Sequence, residues 1–382
     1  MKFSYEQGPI RPPSEAKSLL IRVTRNCPWN KCAFCHTYHG TKFQIRKVED
    51  VKKDIVTARE IADKMKEISW KMGQGGEINE YVVNRIYSDG GSFDDSDRSV
   101  AAWLYFGGTS VFLQDANTII MKTADLVDVI SFIKEQFPVV DRITSYCRSK
   151  TACRKSVDEF KQLKEAGLSR IHIGLESGYD PILEFIKKGV TAEEHVKGGK
   201  NIVESGISLS EYVIPGLGGE KWSKEHAEET AKVLNRINPD YIRLRSLQVR
   251  RNTELYTMRE EGKFEKLSDE DVVKEIRLFI ENLDGIQSRV VSDHILNLLE
   301  ELEGKLPEDK EKLLGIIDRY FALPEDDRII YRLGRRKGIY RRLDDLSDMR
   351  VYHTLKAIVD EYKKKGAGAL DRDLYRIMHT FI

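Results

Sequence analysis

The chain has few cysteines, no long apolar run and no excess of charge of either sign. Five cysteines among 382 residues is an odd number and too few for the disulfide framework of a small secreted domain. No stretch of about 18 consecutive apolar residues occurs, which argues against a membrane-spanning helix. The opening residues, MKFSYEQGPIRPPSEAKSLLIRV, have no apolar core behind a basic start, so they do not read as a secretory signal. The expected compartment is therefore the cytoplasm, with no membrane partner. The 63 basic residues are balanced by 62 acidic ones. No global field then draws the protein to nucleic acid, and any such contact would need a local patch.

What is present is a repeating pattern. Residues 1–17 form an N-terminal extension containing Arg11-Pro12-Pro13, and Ser18–Thr24 follows as a short buried strand. Val48, Val51, Ile55, Ala58, Ala62 and Met65 recur at spacings of three and four, the apolar stripe of an amphipathic helix. Residues from about 73 to 105 read as an insertion, rich in Gly and Asp, with a helical piece inside. Strands are then expected at Ser110–Leu113, Arg142–Cys147, Arg170–Leu175, Ser208–Ile214 and Tyr241–Leu247. Helices are expected between them at Ala124–Phe137, Ser156–Ala166, Ala192–Glu204 and Lys224–Arg236. Six strand–helix units imply an α/β fold with a parallel sheet. The expected form is a partial (β/α)6 TIM-like barrel over residues 18–256, with its site at the C-terminal ends of the strands. An open doubly wound sheet is the alternative. Residues 257–382 read as a helical C-terminal region, opening on the cap Ser268-Asp269-Glu270-Asp271 and including helices over Glu308–Phe321 and Met349–Lys363.

Three of the five cysteines fall within nine residues, in Cys27-Pro-Trp-Asn-Lys-Cys32-Ala-Phe-Cys35, immediately after the first strand. Three thiolates on one short loop can each take one iron of a cubane cluster, leaving a fourth iron open to a small molecule. A structural zinc site with His36 or His39 as fourth ligand is the main competitor. Cys32-Ala-Phe-Cys35-His36 also fits a haem-attachment pattern, which the missing export signal disfavours. Plain buried thiols are the remaining reading.

The loop resembles the signature of the radical S-adenosylmethionine (SAM) superfamily, with a first gap of four residues where three is usual. The resemblance spans about residues 18–256. It is nearest to the methylthiotransferases, the oxygen-independent coproporphyrinogen oxidases and uncharacterised radical SAM proteins. It implies a [4Fe–4S] cluster on Cys27, Cys32 and Cys35, with SAM chelating the open iron. It also implies an electron donor such as flavodoxin or ferredoxin, and reductive cleavage of SAM to begin radical chemistry on an unidentified substrate. By the same resemblance Phe34 lies against the adenine. Asp115, with Asn117 as second choice, receives the SAM ammonium group; the match there rests on position, because the usual glycines are missing. Glu176, in Ile171–Gly178, contacts the ribose. Lys188 pairs with the SAM carboxylate where relatives carry Arg. Gly216, in Val213–Glu220, lets backbone approach the adenosine.

Two further segments bear on the substrate. Asp293 and His294, in Ser292–Asn297, are candidate catalytic residues able to move a proton, with a capped helix N-terminus as the plainer reading. Arg335, Arg336, Lys337, Arg341 and Arg342, with Tyr331 and Tyr340 interleaved, could grip a phosphate backbone. Asp344 and Asp345 follow at once, so the cluster reads better as a solvated, self-neutralised face. Two other functional classes stay open: a zinc-stabilised RNA-binding protein, and a radical-generating accessory factor for a partner protein.

Overall fold

Each apolar strand segment in the sequence becomes a strand, and each periodic segment between strands becomes a helix. The computed structural model describes residues 4–366 and 368–379. The main strands are β1 (Leu19–Arg22), β2 (Ser110–Gln114), β3 (Arg142–Cys147), β4 (Leu168–Glu176), β5 (Ser208–Val213), β6 (Tyr241–Leu244), β7 (Arg289–Val291) and β8 (Glu303–Lys305). The chain forms two units. One comprises Met1–Asn30, Thr37–Ile173 and Lys197–Leu209; the other comprises Lys31–His36, Gly174–Val196 and Ser210–Ile382. The chain passes from the first to the second inside β4, after Ile173, and again inside β5, after Leu209.

In the first unit β1, β2, β3 and β4 pair in chain order and all in parallel, from Leu19 opposite Val111 to Cys147 opposite Ile173. A doubly wound sheet would reverse its strand order near the middle; a run in chain order is the pattern of a barrel segment. The register slips between Ile143 and Thr144, where the Ser169 hydroxyl accepts the Ile143 amide at 3.0 Å. The helix Val48–Lys71 buries Val51, Ile55, Ala58, Ala62 and Met65 of the stripe seen in the sequence, with Ile61 beside them, while Val48 at its start is half-buried. It packs on the helices Asp95–Tyr105 and Thr123–Gln136, and the latter packs on Val157–Ala166. The 73–105 segment holds two helices, Glu80–Ser88 and Asp95–Tyr105. The second begins in a capping box in which Asp94 and Asp97 each accept the other's amide.

In the second unit β5, β6 and β7 are parallel, and β8 returns antiparallel to β7. The helix Gly219–Ile237 packs on Asp269–Asn282, which packs on Lys310–Ala322. The C-terminal region, read from sequence as helical, therefore also carries two strands. At three residues each they are too short to show an alternating pattern. Each unit is mixed α/β with mostly parallel strands, and among the described residues no strands close into a barrel. Among the described residues no helix is long and apolar enough to cross a membrane.

Candidate functional site

In the first unit, the chain leaving β1 turns sharply into the cysteine loop. Asn26 and Asn30 have φ of 65° and 41°, the left-handed conformation that asparagine tolerates better than most residues. Asn26 Nδ2 donates to the Lys42 carbonyl at 2.8 Å, and Asn30 Nδ2 to the Thr41 carbonyl at 2.6 Å. Asp115 is wholly buried just past β2. Its Oδ2 accepts Arg22 Nη2 at 2.8 Å and the Asn26 amide at 3.0 Å, and its Oδ1 accepts the Tyr38 hydroxyl. Burial first, and then the Asp115 charge, push the Tyr38 phenol well above its ordinary range, so it stays a donor. Asp115 thereby fixes the residue next to Cys27. Asn117, also buried, accepts the Arg148 amide at 2.9 Å and donates to Thr151 Oγ1 at 2.8 Å. The Arg148 guanidinium lies 5.2 Å from the centre of the Trp29 ring in the same loop.

In the second unit, Ala33 anchors the end of the loop: its amide donates to the Ile186 carbonyl and its carbonyl accepts the Leu255 amide, both at 2.9 Å. Cys35 closes a turn onto the Cys32 carbonyl at 3.0 Å. Phe34 packs on the apolar cluster of Ala33, Ile182, Ile186, Leu217, Leu247 and Val249. Lys188 Nζ lies 5.9 Å from the Phe34 ring centre and 2.8 Å from Glu176 Oε1. Phe34, Glu176 and Lys188, far apart in sequence, are thus neighbours. Glu176 has φ of 64°, which folds its carboxylate back over Gly174. A Cβ at Gly174 would stand 2.0 Å from Glu176 Oε1, so the pair requires glycine there.

Gly216 has φ of 86°, and its amide donates to Glu275 Oε1 at 2.6 Å. Glu275 also accepts Ser223 Oγ at 2.6 Å. Burial raises its pKa, against the nearby His226 and these two hydrogen bonds. Glu275 therefore shapes the Gly216 turn, although its sequence setting is an ordinary helix.

Glu211 on β5 was not singled out in the sequence. It is fully buried, and neither carboxylate oxygen has a hydrogen-bond partner among the described residues. Burial, then the Glu176 charge, raise its pKa well above the ordinary carboxyl value, and Lys188 opposes them. Little in the sequence signalled it: Glu211 stands between Ser210 and Tyr212 inside the expected strand Ser208–Ile214.

Asp293 and His294 are not at a helix start; they lie in a loop following β7, which corrects the capping reading. Arg243 pairs with Asp293 at 2.8 Å. His294 Nδ1 accepts the Leu296 amide at 3.2 Å, so the neutral ring carries its proton on Nε2. Burial, then Arg245 and Arg335, lower its pKa to about 4. The reading of the basic cluster as a solvated face is corrected in part. Arg335 and Arg336 are 2% and 4% exposed and pair with Glu300 at 3.0 Å and Asp269 at 2.7 Å. Tyr331 and Tyr340 are stacked inside, with Tyr340 lying against Gly334. Arg341 and Arg342 are exposed as expected. The partners of Arg335 and Arg336 lie 35 and 67 residues upstream, which no local reading of charge could supply.

All three loop thiols are half-buried and free of disulfides, which suits thiolate ligation of an iron–sulfur cluster. Among the described residues no three His, Cys, Asp or Glu side chains converge as ligands of a single ion would.

Comparison with known proteins finds similarity over part of the chain. Residues 104–234 match the family described as the radical SAM superfamily. A tRNA uridine(34) acetyltransferase from Methanocaldococcus jannaschii is 29% identical over 122 residues, 30% of this chain and 22% of the relative. Its counterpart from Methanocaldococcus infernus is 28% identical over 127 residues, 32% of this chain and 23% of the relative. The chain thus spans under a quarter of the length of these curated relatives. Among solved structures, methylornithine synthase aligns at 15% identity over 81% of this chain and 84% of its own, with a TM-score of 0.39. Coproporphyrinogen III oxidase from Escherichia coli aligns at 15% identity over 46% and 40%, with a TM-score of 0.37. The matched segment runs from ahead of β2 into the helix after β5, about a third of the chain lying behind the three-cysteine loop, and over that stretch the chain is similar to the radical SAM superfamily.

Proposed function

We propose that Cys27, Cys32 and Cys35 hold the [4Fe–4S] cluster and that the enzyme cleaves SAM reductively to begin radical chemistry on a substrate. The observation that carries this reading is the Glu176–Lys188 pair beside Phe34, two residues from Cys32 and one from Cys35 in the cysteine loop. Bound there, the cofactors would supply one-electron reduction and hydrogen-atom abstraction. The chain's own residues do the positioning. Lys188 offers its ammonium to the SAM carboxylate, and Glu176 offers acceptor oxygens to the ribose hydroxyls. Phe34 offers its ring face to the adenine, and the Gly216 turn gives room for adenosine. We assign Asp115 to holding the loop through Asn26, because both its oxygens are already engaged. Asn117 is the second residue proposed for the ammonium side. An electron donor of the flavodoxin or ferredoxin kind fits this reading, as does a cytoplasmic setting.

The test is anaerobic reconstitution with iron and sulfide, metal analysis, and electron paramagnetic resonance of the reduced protein with and without SAM. About four irons, a signal that shifts on adding SAM, and release of 5′-deoxyadenosine under strong reductant are expected. One zinc, no signal and no cleavage after reconstitution would overturn the reading. Lys188→Gln should keep the cluster signal while weakening its response to SAM at least tenfold in concentration.

A further inference from the structure

The polar side chains behind the Glu176 strand end and the Gly216 turn are buried and joined to one another. In the second unit, His226 of the helix Gly219–Ile237 is 1% exposed, with Ser177, Thr230 and Glu275 buried around it. Its Nε2 lies 3.0 Å from the Ile214 carbonyl. A carbonyl oxygen only accepts, so Nε2 carries the proton and, in the neutral ring, Nδ1 accepts. Nδ1 lies 2.9 Å from Ser177 Oγ, which itself accepts the Tyr179 amide at 3.2 Å and has its own proton to donate. Thr230 Oγ1, 3.3 Å from Nδ1, accepts the Gly178 amide at 2.9 Å. Gly178 has no room for a side chain: a Cβ there would stand 2.6 Å from the Glu229 carbonyl oxygen. The chain leaving β4 is therefore pressed onto this helix and bonded to it through Ser177 and Gly178.

The same ring holds the turn after β5. The Ile214 carbonyl accepts the Leu217 amide at 3.1 Å as well as His226. With proline second and a glycine of φ 86° third, Ile214-Pro215-Gly216-Leu217 has the marks of a type II turn. His226 grips the carbonyl that closes this turn. Glu275, 3.7 Å from His226 Nε2, grips the Gly216 amide at its centre. The Ile214 amide donates to the Glu176 carbonyl at 3.1 Å, which completes the link between turn and strand end. Burying this many polar groups costs free energy unless each is paired, and a fully paired network fixes one arrangement. A side chain aimed at a ligand needs its own backbone fixed in this way.

We propose that His226 is a positioning residue for SAM: by bonding Ser177 and Ile214 at once, it sets Glu176 and the Gly216 turn in a fixed relation. Ribose and adenosine are then gripped as one unit. The proposal rests on the reading of Glu176 and the Gly216 turn as SAM contacts. Buried behind them, His226 acts through those residues and not on the cofactor directly.

The experiment is a titration of the reconstituted, anaerobic protein with SAM, followed by electron paramagnetic resonance of the reduced cluster. Release of 5′-deoxyadenosine at saturating SAM is measured alongside. The unaltered chain is compared with Ser177→Ala, His226→Phe and the double variant. His226→Phe keeps a ring and loses both hydrogen bonds. Ser177→Ala loses a single oxygen, and it carries the test alone if the other variant fails to fold. Each single variant should raise the SAM concentration at half response about tenfold, the effect of one buried hydrogen bond, with iron content and the rate at saturation unchanged. The double variant should be no weaker than His226→Phe, because both changes break the same contact. An unchanged half response in the single variants would overturn the proposal, and so would a fall in iron content or saturated rate with the half response intact. A double variant that loses the product of the two single effects would show that Ser177 and His226 act separately, which overturns it too. If the unaltered protein shows no response to SAM, the functional reading falls and takes this inference with it. If it responds and the variants respond equally, this inference falls alone.

Discussion

Replacing Glu15 by Gln tests the buried charge cluster beneath the first-unit sheet. Glu15 is completely buried and accepts Ser18 Oγ at 2.8 Å, Arg142 Nη1 at 3.0 Å and His172 Nε2 at 3.1 Å, with a second contact from Arg142 Nη2. Burial alone would raise its pKa, but the hydrogen bonds and charges of His172 and Arg142 prevail and lower it from 4.5 to about 2. At about 1.4 kcal/mol per tenfold in proton affinity, that interval corresponds to roughly 3 kcal/mol of stability at neutral pH. Because the folded carboxyl ionises below the unfolded one, the contribution is fully present above about pH 4.5 and is lost as pH falls toward 2. Glu15→Gln should therefore cost about 3 kcal/mol at pH 7 and progressively less below pH 4.5. Urea denaturation followed by tryptophan fluorescence measures it, in a Trp222→Phe background so that the remaining three tryptophans all report on the first unit. A loss under about 1 kcal/mol at pH 7, or one that stays constant down to pH 3, would refute the linkage.

Three other substitutions follow from the site. Asp115→Ala should free Asn26 and leave the Tyr38 hydroxyl without its acceptor, while Arg22 keeps Glu6 at 2.9 Å, costing about 1–3 kcal/mol and lowering iron retained after reconstitution; unchanged iron content would sink the positioning role. Gly174→Ala should push the Glu176 carboxylate off Lys188, since the new methyl would meet Glu176 Oε1 at 2.0 Å. It should weaken the spectral response to SAM at least tenfold while leaving circular dichroism unchanged, and a normal response would contradict the geometry. Glu211→Gln removes a buried acid whose folded pKa is raised by burial and Glu176. Such a group is tolerated when protonated and destabilises increasingly as pH rises above the unfolded carboxyl value. The variant should gain stability at pH 8 and none at pH 4; a gain that is equal at both values would show that Glu211 is not held as an acid.

The sequence by itself determined the thiol loop, the helix stripe of Val51–Met65 and the βα alternation. Each is a local pattern: three thiols within nine residues, or side chains repeating at the period of one element. It also located Glu176 and Lys188, through resemblance, without saying that they touch. Tertiary structure decided what depends on distant partners. Glu15 is closed by residues 127 and 157 positions away. Arg335 and Arg336 look like surface charge until Glu300 and Asp269 meet them inside. The strands β7 and β8 exist because a neighbouring edge accepts three residues, too few to leave a period. Glu211 reads as an ordinary polar strand residue. Only packing removes water and partners from it, because burial and pairing belong to the assembled surface and not to the chain order.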